Sequence, residues 1–156
     1  MVVVPDLFTH LVAARVPGSF VRDKRLQALL VIGTFMPDIA FKGLFFVMQT
    51  RESYGAASHS ILGVLLISYL ACLFVEEAIR KPAFLALAAG GLIHVAVDLI
   101  KYNLGQGSCR PFLPFWSGGV ELGWIDPENV ILLIPIDAAI LAAAWFLERR
   151  LARVQQ

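Results

Sequence analysis

Apolar and polar positions alternate slowly along this chain, in blocks rather than residue by residue. Four long apolar segments stand out: Leu26 to Gln49, Ile61 to Val75, Ala83 to Ile100, and Val130 to Leu147. Blocks of that length predict helices and leave no room for alternating strands. Pro37 interrupts the first segment, which predicts a helix ending near Met36 and a separate short apolar piece, FKGLFFVM, beyond it. A crossing of the bilayer needs ~20 uninterrupted residues, so this first segment is a doubtful full span. Ahead of it, Asp6 to Val16 predicts a short helix closed by Pro17-Gly18. Between the third and fourth segments runs a Gly- and Pro-rich stretch carrying Phe112, Phe115, Trp116 and Trp124, a composition suited to an interfacial cap or lid.

Composition sharpens the class. Hydrophobic residues make up 58% of the 156 residues and charged residues 16%. A water-soluble domain of this size needs more polar surface, so the expectation is an all-α, polytopic membrane bundle of about four apolar helices plus a short N-terminal helix, in a single domain. Net charge is +1, which supplies no basic excess for a nucleic-acid partner. The two cysteines, Cys72 and Cys109, do not indicate a disulfide framework. The first residues, MVVVPDLFTH, lack a positive region ahead of an apolar core and do not read as a cleaved signal peptide. If the segments alternate, Arg15, Arg22, Lys24, Arg25, Arg80, Lys81, Arg149, Arg150 and Arg153 fall on one side, against Arg51, Lys101 and Arg110 on the other. That asymmetry predicts a multi-pass protein of the cytoplasmic membrane with both termini in the cytoplasm.

Ionisable groups inside apolar segments are costly and need a partner or a function. Here they are Asp38, Lys42, His94, Asp98 and Asp137, with His59 heading the second segment. Counting ~1.5 Å of rise per residue from the basic clusters near residues 24, 79 and 150 puts Asp38 ~21 Å above their plane, His94 ~22 Å, Asp98 ~28 Å, His59 ~30 Å and Asp137 ~20 Å. These residues share a level. His94 and Asp98 lie one turn apart on one helical face, so an imidazole nitrogen and a carboxylate oxygen can meet one cation. Asp38 and His59 can add ligands from neighbouring helices, making a mixed N/O set suited to zinc and tolerable for manganese or iron.

Plainer readings stand beside this one. Asp38 can pair with Lys42 one turn on if the helix survives Pro37, and Ser58 can cap the helix that follows His59. Asp137 can bond to a neighbouring helix. Lys101 and Arg110 read as interfacial anchors or as phosphate contacts, and Glu121 as a solvated acid or a ligand. His10, by helical rise alone, falls well below the common level and reads as an ordinary polar residue of an amphipathic helix.

The elements THLVAARVPG, GTFMPDI, ASHSILG and HVAVDLIKYNLGQGSCRPFLPF, in this order and spacing, resemble the YdjM-like family of inner membrane-associated, metal-dependent hydrolases. The resemblance covers residues from about 6 to 116 and leaves the last helix without a motif. The same order of His, Pro-Asp, His and HxxxD is similar, more distantly, to the all-α zinc phospholipase C and P1 nuclease group, which implies a fold of that type. The resemblance implies that His10, Asp38, His59, His94 and Asp98 face one metal centre, with a divalent ion, zinc first, as cofactor. It implies hydrolysis of a phosphate ester, with a membrane lipid as partner and a phosphate-containing lipid as substrate. Asp38 or Asp98 is then the catalytic base, Asp38 in preference because a Pro-Asp turn that ends its helix leaves the carboxylate at a cavity edge, and Asp137, Lys101 and Arg110 are candidates for support or substrate contact. One departure is evident: family members often carry His-Arg-Gly just ahead of the THS element, where this chain has ESYGAASHS. Activity that depends on that histidine, or on a second metal held by it, is therefore in doubt. Two other classes stay open, an ion or proton pathway and a non-catalytic scaffold with a structural metal.

Overall fold

A computed structural model describes residues 4–48, 56–101, 109–126, 129 and 132–154. The described residues contain five α-helices and no strand: α1 (Val4–Gly18), α2 (Lys24–Met48), α3 (Ile61–Cys72), α4 (Arg80–Ile100) and α5 (Leu133–Val154). Short 3-10 turns at Ala56–His59 and Glu77–Ile79 lead into α3 and α4. Arg51, the 102–108 part of the glycine-rich stretch and Val130 lie outside the described residues.

Local chemistry sets the helix ends. Asp23 caps α2, its Oδ1 accepting from the Arg25 amide at 2.8 Å. Ser60 caps α3, its Oγ accepting from the Gly63 amide at 2.9 Å. The expected cap, Ser58, sits instead in the preceding turn, because Ala57 to His59 wind into a 3-10 turn and delay the helix start. Helix α1 runs through Pro17 to Gly18, and the Ser19 hydroxyl and amide both bond to the Val16 carbonyl.

The predicted break at Pro37 does not occur: α2 continues to Met48. A proline inside a helix costs ~3 kcal/mol through its lost N–H and ring clash, so something must offset it. Pro37 is fully buried, and with Gly33 and Met36 it lines the junction with Val64, Ile67 and Ser68 of α3 and Gly91 of α4. Tertiary packing outweighs the local preference. The α2 and α4 backbones come so close that a methyl on Gly33 would overlap the Leu87 carbonyl, and one on Gly90 the Leu30 carbonyl. Across the same contact the buried Thr34 hydroxyl reaches the Gly90 carbonyl at 3.1 Å. Small residues at a helix–helix contact, with a hydroxyl bonding across it, are a packing mode suited to membranes.

Two helices, not four, are long and apolar enough to cross a membrane among the described residues: Lys24–Gly43 of α2, and Glu77–Ile100, which includes α4. The second apolar segment yields only the 12 residues of α3, ~18 Å of helix. The reason lies at its ends: the 3-10 turn through His59 and the Ser60 cap delay its start to Ile61, and the turn after Cys72 closes it. The fourth segment is apolar only over Leu133–Phe146, within the longer α5. Large apolar side chains face outward along these helices, including Leu66, Leu70 and Phe74, Leu85 and Leu92, and Ile136, Trp145 and Phe146. Such a surface is at home in hydrocarbon and aggregates in water.

The segment after residue 109 closes over the end of α4. The Leu122 and Trp124 amides bond to the Leu99 and Ile100 carbonyls, satisfying groups that a helix end leaves open, and Lys101 pairs with Ile125 in an isolated bridge. The Ile61 amide bonds to the Pro111 carbonyl, tying this cap to the head of α3. Phe115 and Trp124 are exposed on this cap.

Candidate metal centre

Four elements bring their polar residues to one point. Helix α1 contributes His10, α2 contributes Asp38, the turn before α3 contributes His59, and α4 contributes His94 and Asp98. His94 Nε2 lies 3.1 Å from Asp98 Oδ2 and 3.7 Å from Asp38 Oδ1. His59 Nε2 lies 3.4 Å from Asp38 Oδ1 and 3.7 Å from Asp98 Oδ2. His10 Nε2 lies 3.3 Å from Asp98 Oδ1, and its ring stacks on that of His94 with centroids 4.1 Å apart.

Height counting placed His10 too low because it assumed that α1 and α2 rise from one plane. The stacking of His10 on His94 shows that they do not. His10 and His94 are each 1% exposed, so both imidazoles have left water and need compensation.

The spacing of these atoms matters. Strong N–H···O bonds have heavy atoms ~2.7–3.2 Å apart, and most of the contacts here are longer. Ligands ~2.0–2.2 Å from a shared tetrahedral ion stand roughly 3.3–3.6 Å from one another, and the separations here, 3.1 to 3.7 Å, bracket that range. Moreover, His94 is buried and its Nε2 faces two carboxylates, that of Asp98 at 3.1 Å and that of Asp38 at 3.7 Å. A buried imidazole turned toward two carboxylates presents Nε2 where the three groups could share a cation. The ligand atoms form two overlapping triads, His10/His94/Asp98 and Asp38/His59/His94, in each of which they lie within 4.8 Å of one another. The donor set therefore fits a divalent ion.

Outer contacts orient the set. Ser58 Oγ lies 3.0 Å from His59 Nδ1, so with a proton on Nδ1 that ring keeps its Nε2 lone pair for a cation that the two aspartates would share. Lys42 Nζ stands 3.8 Å from Asp38 Oδ2, the pairing that an unbroken helix permits. Lys101 is neither an exposed anchor nor free to meet a substrate. It is buried, with Nζ 2.7 Å from Asp98 Oδ1. Its place three residues after Asp98, just past the end of α4, is the signal in the chain for this pairing. Asp137 stands outside the five-residue cluster and accepts a hydrogen bond from Thr9 Oγ1 at 2.8 Å, linking α5 to the residue beside His10. Arg110 is half-buried in the cap, and Glu121 belongs to neither triad. Cys109 packs beneath the cap with Val64 and Val95, and burial pushes its thiol up to about 12.

Fold and site together define an all-α protein with two helices suited to crossing a membrane and a buried His–Asp cluster between them. The chain belongs to the YdjM inner membrane protein family, whose family model matches residues 6–154. The match extends past residue 116 and takes in α5, which bears no motif of its own. No curated protein and no solved structure matches the chain.

Proposed function

We propose that this protein is a multi-pass, membrane-embedded, metal-dependent hydrolase that cleaves a phosphate ester of a lipid, with zinc as the preferred ion and manganese or iron as substitutes. The observation that carries the reading is the meeting of three imidazole Nε2 atoms and two carboxylates at ligand-to-ligand spacing around the buried His94. His10, Asp38, His59, His94 and Asp98 hold the ion. Such an ion supplies Lewis acidity, polarising an ester and bringing the deprotonation of water toward neutral pH.

The protein's own groups divide the remaining work. Asp98 has Oδ1 held by Lys101, which leaves it a positioning ligand. Asp38 is the better general base: Oδ1 faces His59 and His94, while Oδ2 turns toward Lys42 and the open side. Its side chain is the more exposed of the two aspartates, 25% against 15%, so water and substrate can reach it. Asp38 was expected to gain this access from a helix end at Pro-Asp; an open groove beside an unbroken helix provides it instead. The cap carrying Phe112 to Trp124 seals the far end of the site at the membrane surface. The order of the His, Pro-Asp, His and HxxxD elements supports the wider likeness to zinc phospholipase C and P1 nuclease. The positive-charge asymmetry supports cytoplasmic termini.

Close packing of α2 on α4 at Gly33 and Gly90, below the cluster, favours a hydrolase over an ion or proton pathway, since it leaves no polar route toward the cytoplasmic side along that contact. Elemental analysis of detergent-purified protein tests the reading. Wild type should carry a stoichiometric divalent ion, which His94→Ala and His59→Ala should lose. Zinc-loaded wild type should hydrolyse bis(4-nitrophenyl) phosphate, and Asp38→Asn should lower turnover by ~100-fold or more, the usual weight of a general base. A folded wild type that remains metal-free after equilibration with zinc overturns the proposal.

A further inference from the structure

We propose that the groove between α1 and α2 holds the acyl chain of an anionic membrane phospholipid, with Lys42 receiving the lipid phosphate at the edge of the metal centre; this rests on reading the cluster as a site for lipid phosphate esters. The groove encloses ≈ 550 Å³ and is walled by Leu7, Phe8 and Leu11 from α1 and by Phe35 and Ile39 from α2, with Asp38 and Lys42 as its polar members. That volume lies within the ~300–1,000 Å³ typical of ligand pockets.

The residues follow helical spacing on both walls. Positions 7, 8 and 11 share one face of α1, and positions 35, 38, 39 and 42 share one face of α2. The trough therefore runs ~10 Å along α2 and ~6 Å along α1. Its α2 wall belongs to the apolar span Lys24–Gly43, so it opens toward hydrocarbon. Ile39 is 66% exposed along it. An occupant at that depth must be apolar over most of its length.

The polar end supplies the other half of the recognition. Lys42 is one turn beyond Asp38, and its side chain is 46% exposed with Nζ only loosely paired at 3.8 Å. A half-exposed ammonium beside an apolar trough complements a molecule with an anionic head and a hydrocarbon tail. Asp38 lines the groove and also belongs to the cluster, so a phosphate held by Lys42 is delivered next to the base and the metal ligands. In this arrangement the substrate comes sideways from the bilayer, between α1 and α2, while the aromatic cap closes the opposite approach.

Native mass spectrometry of the full chain in detergent, with dipalmitoyl phosphatidylglycerol and dipalmitoyl phosphatidylcholine as probes, tests this. Wild type should retain phosphatidylglycerol in preference to phosphatidylcholine. Leu11→Trp, which fills the trough, should lower retention of both by about tenfold, the loss of roughly two buried methylenes. Lys42→Gln should keep the lipid and lose about fivefold of the preference, the size of one lysine contact with an anionic lipid. Should Leu11→Trp fail to fold, Leu7→Trp fills the same wall. Equal retention by wild type and a folded trough-filling variant, or an unchanged preference in Lys42→Gln, overturns the proposal. Metal content measured on the same samples separates the two readings. Lipid retention by metal-free protein supports the groove and removes the hydrolase, whereas metal without lipid retention removes the groove alone.

Discussion

Gly90→Ala puts a single methyl group where α2 and α4 touch. The new Cβ would overlap the Leu30 carbonyl and crowd the Thr34 amide, both of them backbone that cannot rotate away. The helices must part by roughly 1.4 Å before the methyl, built 2.0 Å from the Leu30 oxygen, reaches ordinary van der Waals separation, and a gap of that size forfeits about half or more of the dispersion energy of the atoms it separates. Overpacking of this kind costs ~1–3 kcal/mol. Losing the reach of the Thr34 hydroxyl to the Gly90 carbonyl adds ~1 kcal/mol. The expected destabilisation is ~2–4 kcal/mol, or about 30- to 700-fold in the folding equilibrium. Because Asp38 stands on α2 while His94 and Asp98 stand on α4, the same separation pulls the carboxylate of one helix from the ligands of the other. Bound metal should fall in parallel with stability.

Reversible unfolding in mixed micelles, followed by circular dichroism, reads the first quantity and elemental analysis the second. Gly43→Ala is the internal control. Nothing stands within 4 Å of a methyl group there, so it should be neutral or stabilising by up to ~1 kcal/mol through helix propensity. If Gly90→Ala unfolds at the wild-type midpoint, or Gly43→Ala costs as much, the close helix contact is not what holds the cluster together.

Lys101→Met should destabilise the chelator-treated protein by up to ~3 kcal/mol, because it leaves Asp98 buried beside one cation fewer; zinc should recover much of the loss, and a variant equally stable with and without chelator would contradict this. Ser60→Ala removes the cap of α3 and should cost ~1 kcal/mol in the same unfolding assay, with weaker metal retention because His59 precedes that cap. With its thiol at about 12 and buried, Cys109 should resist maleimide at pH 8 in native protein and react only on unfolding; rapid native labelling traced to Cys109 by peptide mapping would show that the cap stands open.

The chain by itself determined the class, an all-α inner membrane protein, and singled out the residues that could carry chemistry. Apolar blocks with few charges admit only helices in a membrane, and the handful of ionisable residues inside those blocks are conspicuous because burial makes them costly. His94, Asp98, Asp38 and His59 were legible on that ground, together with a common level along the helical rise. Tertiary packing decided the rest, since it depends on distances that rise and periodicity do not encode. It carried α2 through Pro37, because burial against α3 and α4 outweighs the missing hydrogen bond. It shortened α3 by winding Ala56 to His59 into a 3-10 turn ahead of it, and drew the His10 ring onto His94 by setting α1 off the common plane. It also turned Lys101 inward, where a carboxylate already removed from water gains more from an ammonium than the bilayer surface does.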